Sequence, residues 1–368
     1  VRLLLVQGGF GAGGAEKIMA ALAGHRAAQG DEVHVAAMMM PAAGSFFPYD
    51  PRVRLHLLRS GPGMLRQPGR AAAIRGLIRR LRPDLVVSFL TKVNCLTLIA
   101  AAGTGVPVVV SERNNPARQS AGGWQRLQAA LLPRAAGIAM QTRDAARDLP
   151  PAQARRAHVI ANPCRPVDFT PPPPAPECRF VAVGRLDPQK GFDRLIDAFA
   201  ALPRDLPATL SIFGEGPQRA ALADRIAAAS LGGRVRLAGL APSPAAWLGA
   251  GDVLVLSSRY EGFSNVLAEA ACSGLPAVAV DCPFGVRDII EPEVNGLIVP
   301  EGDPAETTAA LTGAMARIAR DPALRARLAS APGGVAARLD PARILGQWDV
   351  LIAEALAAQP AAAITTSS

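Results

Sequence analysis

Residues 171–199 read PPPPAPECRFVAVGRLDPQKGFDRLIDAF and carry, in order, a stiff spacer, a strand, a loop and the start of a helix. Pro171 to Pro174, followed by Pro176, form an extended segment that neither a helix nor a sheet interior accepts, because proline fixes φ and has no N–H. Phe180 to Val183 is a short apolar run suited to a strand buried on both faces. A helix begins near Gly191. A fold unit therefore starts afresh in the middle of a chain of 368 residues.

Working outward, the segment before the prolines alternates short apolar runs with helix-like stretches: Arg2 to Gln7, Gly14 to Gln29, Val33 to Met38, Leu85 to Phe89, Val106 to Val110 and Gly137 to Gln141. That alternation is the signature of βαβ units around a parallel sheet. Beyond the prolines it resumes with Thr209 to Phe213, a helix from Pro217, Val235 to Leu237, Val253 to Leu256, a helix from Ser264, Ala277 to Val280 and Leu297 to Val299. Residues 303–358 read mostly helical, and the AAITTSS tail is expected to be disordered. The expectation is two α/β domains, 1–170 and 175–345, with a helix at 346–360 packing back toward the first.

Half of the residues are hydrophobic, yet no run approaches the ~18–20 apolar residues that span a bilayer. The opening VRLLLVQGG passes from a brief apolar run into glycines and reads as a first strand rather than a leader. Five scattered cysteines without a CxxC pair indicate neither a disulfide framework nor a zinc site, so a reducing cytoplasm is expected. The net charge of +9 is uneven: 22 Lys and Arg stand against 9 Asp and Glu up to Thr170, and 17 against 21 after it. Such a basic half fits an anionic membrane or a phosphate-bearing ligand, whereas 4% aromatic residues give little support to stacking on nucleic acid.

Gly9, Gly11 and Gly14 satisfy GxGxxG between the first strand and first helix, which alone points to a dinucleotide-binding oxidoreductase. The acid that should hold the ribose is missing, because the second strand ends in Met38-Met39-Met40. What remains is either a glycine loop facing an anion at a helix N-terminus or a tight turn. Arg185 and Lys190 lie after the strand 180–183, where open α/β sheets bind ligands; the other reading is a solvated loop ion-paired to Asp187 or Asp193. The strongest stretch is YEGFSNVLAEA, residues 260–270. With a helix starting near Ser264, Glu261 lies in the preceding loop and Glu269 about one turn inside, so both carboxylates face one cleft. A nucleotide-sugar has hydroxyl pairs at its ribose and its hexose with a diphosphate between, and acids flanking helix-terminal amides match that order. The alternative is a capping Ser264 between two ordinary glutamates.

FGEGP at 213–217 and DCPFG at 281–285 are further glycine turns, either plain or ligand-facing. Residues 69–82 place Ile74, Leu77, Ile78 and Leu81 at helical spacing, with Arg70, Arg75, Arg79, Arg80 and Arg82 largely around the other face. The helix either touches anionic lipid or solvates its arginines; residues 113–134 with Trp124 are a second such stretch. His25, His34, His56 and His158 lack metal-ligand spacing, and no GxSxG occurs.

Taken together, GGAEK at 13–17, GRLDPQKGFDRLIDAF at 184–199, FGEGP at 213–217 and EGFSNVLAEAACSGLP at 261–276 resemble the family 4 glycosyltransferases. SFLTKVN at 88–94, SERNNP at 111–116 and DCPFG at 281–285 look like members that extend lipid-linked saccharides for capsule, exopolysaccharide or protein glycosylation. The resemblance implies a GT-B fold, two Rossmann-like doubly wound domains facing each other across a cleft. It also implies retaining transfer of a hexose or N-acetylhexosamine from a nucleotide-diphosphate sugar, UDP favoured, without metal or cofactor. On it, Arg185 and Lys190 neutralise the leaving diphosphate, Glu269 holds the ribose, and Glu261 with Phe263, Ser264 and Asn265 holds the sugar. Gly184, Gly214 and Gly216 line the donor, and Gly13 and Gly14 reach it as the cleft closes. The loops where many relatives carry a histidine show Lys92, Asn94, Glu112, Arg113 and Asn114 instead, which become the acceptor-side residues. The expected location is cytoplasmic from the cysteines, and the arginine-rich stretches leave two readings open, contact with the inner face of the cell membrane or solvated helices. An epimerase of the same architecture is the other chemistry considered, and it lacks ring acid/base groups.

Overall fold

The inner strands of the structure, a computed structural model, are short β-branched or leucine-rich runs buried on both sides, and every strand pairing is parallel. It describes residues 1–11, 13–58, 66–113, 123–330 and 333–358; Asn114 and the AAITTSS tail lie outside them. Two units divide the chain, one from Val1 to Pro163 joined by the chain from Ala342, the other from Cys164 to Pro341.

In the first unit the elements run β1 (Arg2–Gln7), α1 (Gly14–Ala28), β2 (Glu32–Ala37), β3 (Arg54–Leu57), α2 (Arg66–Leu81), β4 (Leu85–Phe89), α3 (Thr91–Ala101), β5 (Val108–Glu112), α4 (Gly123–Leu131), β6 (Gly137–Met140), α5 (Arg143–Arg147), α6 (Pro151–Ala154) and β7 (Ala157–Val159). The second holds β8 (Cys178–Val183), α7 (Phe192–Ala200), β9 (Ala208–Phe213), α8 (Arg219–Ala228), β10 (Val235–Gly239), α9 (Pro244–Leu248), β11 (Val253–Leu256), α10 (Asn265–Cys272), β12 (Ala277–Val280), α11 (Val286–Ile289), β13 (Gly296–Val299), α12 (Pro304–Arg320), α13 (Pro322–Ser330) and α14 (Val335–Arg338). A last helix, α15 (Pro341–Ala357), returns to the first unit, where Trp348 is fully buried and stacks on Phe89 at 5.5 Å between ring centroids. Asp349 anchors it to α1 through His25 and Arg26, both at 2.8 Å.

The strand orders are β3-β2-β1-β4-β5-β6-β7 and β10-β9-β8-β11-β12-β13. Both reverse direction once, between β1 and β4 and between β8 and β11, which is the doubly wound arrangement of a Rossmann fold. β3 and β7 were not expected from the sequence. They are edge strands with exposed or half-exposed side chains, so they lack the apolar run that marks the inner strands.

The proline segment differs from its expected role. The first unit ends at Pro163 rather than near 170, and the following chain is bound to the second unit. Cys164 N donates to Leu339 O at 2.8 Å, Val167 N to Ser273 Oγ at 2.9 Å, and Arg179 Nη2 to Pro173 O at 2.8 Å. The second unit likewise ends at Pro341, not 345, and the returning helix begins there.

At the β2–β3 edge, His34 Nδ1 meets His56 Nε2 at 2.9 Å, and His34 Nε2 meets Glu32 at 3.2 Å. Burial lowers the pKa of His34 despite Glu32, and burial followed by the His34 charge lowers that of His56. Because both folded values lie below the ordinary value of about 6.5, the unfolded chain takes up protons first as pH falls. The pair's contribution is complete above that value and is lost below it. The urea midpoint of the first unit is expected to drop between pH 7.5 and 5.5, and a His34→Gln/His56→Gln double variant to drop less; an equal pH slope in the variant contradicts this origin.

Candidate functional site

The loops after β8 and β11 leave neighbouring strands at the point where the second sheet reverses, the position at which doubly wound sheets bind ligands. They are bonded to each other along their length. Ser257 Oγ donates to Lys190 O at 2.9 Å, Arg259 N to Gln189 O at 2.8 Å, and Gln189 Nε2 to Tyr260 O at 3.0 Å. Arg259 reaches back to Pro188 O at 2.8 Å and grips both oxygens of Asp193 at 2.8 and 2.6 Å. Gly191 sits at φ 63°, and a Cβ there would collide with Ser257 O, so only glycine lets the two loops close.

Arg194 on α7 is buried beneath this zipper. Its Nε donates to Ser257 O at 2.7 Å and its Nη2 to Ser258 O at 2.5 Å, while Nη1 lies 3.4 Å from Glu301. Burial lowers its pKa and Glu301 opposes the shift, but a guanidinium stays charged at any ordinary pH. Two carbonyls that would otherwise be buried without donors are thereby satisfied. The sequence reading missed Arg194 and Ser258, since nothing in FDRLIDAF separates a clamping arginine from a solvated one.

This frame brings Lys190 and Glu261 into contact. Lys190 Nζ lies 2.7 Å from Glu261 Oε1, and Ser258 Oγ donates to the same oxygen at 2.6 Å. Glu261 is 4% exposed, and its backbone N donates to Pro283 O at 3.2 Å, which gives the 281–285 turn a supporting role. The Lys190 stem lies flat across Gly184, where a Cβ would stand 3.0 Å from three of its carbons. Arg185 is on the same loop but mostly exposed, with Nη2 at 2.9 Å from Asp187.

The remaining donor-side residues fall around α10 and the β9 turn. Ser264 caps α10, accepting from Leu267 N at 3.4 Å; Phe263 is buried, Asn265 exposed, and Glu269 half-buried one turn inside the helix. Gly214 and Gly216 are accounted for by backbone packing: a Cβ at the first would strike Gly184 O, and at the second would stand 2.5 Å from Leu186 O. Gly13 and Gly14, in the first unit, lie exposed at the N-terminus of α1.

The acceptor-side residues of the first unit separate into two kinds. Asn94 is fully buried, accepting from Ser88 Oγ at 2.8 Å and donating to Ser111 O at 3.0 Å, so it braces β4 against β5. Arg113 is buried as well, donating to Ser111 Oγ at 3.1 Å and to Asn162 Oδ1, with its guanidinium 4.5 Å from the Phe89 ring centroid. Both hold structure together. Lys92 lies over Trp124 at 5.4 Å. Glu112 accepts from Thr91 Oγ1 at 2.7 Å and Gln128 Nε2 at 3.0 Å and borders a largely apolar cavity of about 310 Å³.

Comparison with known proteins follows this division. A family described as "Glycosyltransferase Family 4" matches residues 12–166, and one described as "Glycosyl transferases group 1" matches residues 177–317. The chain belongs to the family 4 glycosyltransferases. Among the chain's curated relatives, the amylovoran biosynthesis glycosyltransferase AmsD of Erwinia amylovora is 29% identical over 47% of this chain and 48% of its own. The lipopolysaccharide core biosynthesis glycosyltransferase LpsE of Rhizobium meliloti is 36% identical over 40% of this chain and 42% of its own. The matches thus span less than half the length of these relatives. Solved structures share the GT-B fold over nearly the whole chain. The sucrose-phosphate synthase of Thermosynechococcus elongatus has a TM-score of 0.79 at 22% identity, covering 97% of this chain and 99% of its own. HepE of Anabaena in complex with UDP has 0.77 at 20%, covering 96% and 100%.

Replacing Arg194 by Met strands the Ser257 and Ser258 carbonyls and should lower the unfolding free energy of the second unit by about 2–4 kcal/mol. Arg194→Lys should recover only part, because an ammonium cannot fork between two carbonyls. Urea denaturation of the three proteins checks this, and equal stabilities would remove the clamp from the account.

Proposed function

We propose that this chain moves a hexose or N-acetylhexosamine from a nucleotide-diphosphate sugar, with UDP as the favoured nucleotide, to a lipid-linked saccharide. The transfer retains anomeric configuration and uses no metal or cofactor. The observation that carries this reading is the contact of Lys190 with Glu261 at the switch point of the second sheet. A cation for the diphosphate and a carboxylate for sugar hydroxyls then stand side by side, as the donor's own order of groups requires. Relatives agree in kind: HepE is known in complex with UDP-glucose, AmsD is an amylovoran biosynthesis glycosyltransferase and LpsE a lipopolysaccharide core biosynthesis glycosyltransferase.

In this reading Lys190 and Arg185 take the charge that develops on the leaving diphosphate, and Glu269 receives the ribose hydroxyls. The N-terminal amides of α10, beside Phe263, Ser264 and Asn265, face the donor. A charge-assisted hydrogen bond contributes about 1.5–3 kcal/mol and a helix terminus up to ~2, whereas enzymes lower barriers by roughly 8–23 kcal/mol. No single residue carries the reaction, so positioning of the acceptor hydroxyl and exclusion of water must supply the rest. Glu112, beside an apolar cavity in the first unit, is the acceptor-side residue this reading retains, with Lys92.

The chain's cationic helix is a weaker membrane surface than its composition implies. Arg70 is buried, and Arg75 donates to Ala100 O at 2.9 Å and Ala102 O at 2.6 Å, which leaves Arg79, Arg80 and Arg82 exposed around α2. Among the described residues no helix is long and apolar enough to cross a membrane. We place the chain at the inner membrane face, held by these three arginines and by its acceptor.

A panel of nucleotide-sugars offered with a lipid-pyrophosphate-linked saccharide, scored by product mass, tests the activity; a product one sugar heavier is expected. Lys190→Ala should cut turnover about 10- to 100-fold, a larger factor than the rise in donor KM that goes with it. Glu269→Ala should raise donor KM about tenfold with turnover less affected. Unchanged turnover in the first, or unchanged donor KM in the second, removes the assigned role.

A further inference from the structure

The cations assigned to the diphosphate are paired with carboxylates of their own chain. Arg185 is paired with Asp187 at 2.9 Å and Lys190 with Glu261 at 2.7 Å. The two pairs differ in setting: the Arg185 side chain is 75% exposed, whereas the side chains of Lys190 and Glu261 are 16% and 6% exposed. Solvent screens the first pair, so a phosphate displaces Asp187 easily. The second is shielded, and an anion that needs Lys190 must compete with Glu261 for it.

The partners also differ in freedom. Glu261 is fixed: Ser258 holds its Oε1, Pro283 O holds its backbone, and Arg194 pins the carbonyls of Ser257 and Ser258 just before it. Among the described residues Lys190 is bonded, Glu261 apart, at its backbone alone, by Ser257 Oγ on its carbonyl and through its N–H to Asp187 O at 3.2 Å, while its four-carbon stem lies over the bare face of Gly184. Of the two side chains, the lysine's is the less restrained.

We propose that Glu261 is the internal counter-ion of Lys190, and that a donor hexose, by giving its hydroxyl hydrogens to Glu261, releases Lys190 to the diphosphate. A nucleoside diphosphate without the sugar leaves Glu261 holding the lysine and is gripped less. The site therefore favours the sugar-nucleotide it consumes over the nucleoside diphosphate it leaves behind, and one carboxylate couples sugar occupancy to phosphate affinity. This rests on the reading that the second unit binds a nucleotide-sugar, and it adds a preference that such binding alone does not require.

Titration calorimetry without acceptor tests it, using UDP with UDP-glucose, GDP with GDP-mannose and ADP with ADP-glucose, and carrying forward the tightest pair. Binding of none of them overturns both the functional reading and this inference. If a pair binds, the wild type should prefer the sugar-nucleotide at least fivefold. Glu261→Gln should tighten the nucleoside diphosphate at least fivefold and abolish that preference. In the Lys190→Met background the Glu261→Gln change should alter nucleoside diphosphate affinity by less than twofold, because no lysine is left to release. An unchanged preference in Glu261→Gln, or equal tightening with and without Lys190, overturns the coupling while leaving nucleotide-sugar binding intact.

A second readout needs no variant of Glu261. The chain has only three lysines, Lys17, Lys92 and Lys190, so reductive ¹³C-methylation gives a resolved signal for Lys190, assigned by its loss in Lys190→Arg. Saturation with the sugar-nucleotide should move that signal further than saturation with the nucleoside diphosphate; equal movement contradicts the release.

Discussion

Parallel strands buried on both faces cannot be joined by hairpins, and this constraint shapes the chain. Every connection must cross back over a face of the sheet, here through a helix except between β2 and β3, so all strand ends of one polarity gather at one edge of each sheet. Where the strand order reverses, the crossovers run to opposite faces and the loops between them part. In the second unit the parting strands are β8 and β11, and their loops carry Lys190 and Glu261. The Lys190–Glu261 contact is a consequence of topology before it is a matter of individual side chains.

The loops do not stay parted along their whole length. Gly191 lets the turn after β8 press on Ser257, and Arg194 neutralises the two carbonyls that this contact buries. An ion pair held by such a frame has a fixed acid and a movable base. In the proposed transfer, that asymmetry suits a site that accepts a charged metabolite, holds it through a bond cleavage, and then releases the charged remainder. A rigid lysine would retain the product, and an unanchored glutamate would give no preference for the sugar.

The sequence disclosed the inner strands well, because apolar runs as short as Val253–Leu256 and Ala277–Val280 fit the buried sheet of an α/β domain. β3 and β7 escaped notice since an edge strand alternates or exposes its side chains. The unit boundary was placed late because polyproline reads as a spacer, and its hydrogen bonds to the second unit are made by backbone groups that composition does not reveal. Among site residues, Lys190 and Glu261 were legible from their positions after strands. Asn94 and Arg113 carried the right polarity in the right loops, yet folding turns both inward to brace β4 and β5. Ser258 and Arg194 could not be found, since their roles depend on carbonyl oxygens supplied by a loop more than sixty residues from Arg194.

Hydrogen–deuterium exchange of the full chain, with and without saturating nucleotide-sugar, tests most directly whether the β8 and β11 loops form the donor site. The account predicts slowed exchange concentrated in residues 184–194 and 257–269. Slowed exchange confined to the first unit, with both of these segments unchanged in the presence of a donor that the enzyme turns over, would contradict it.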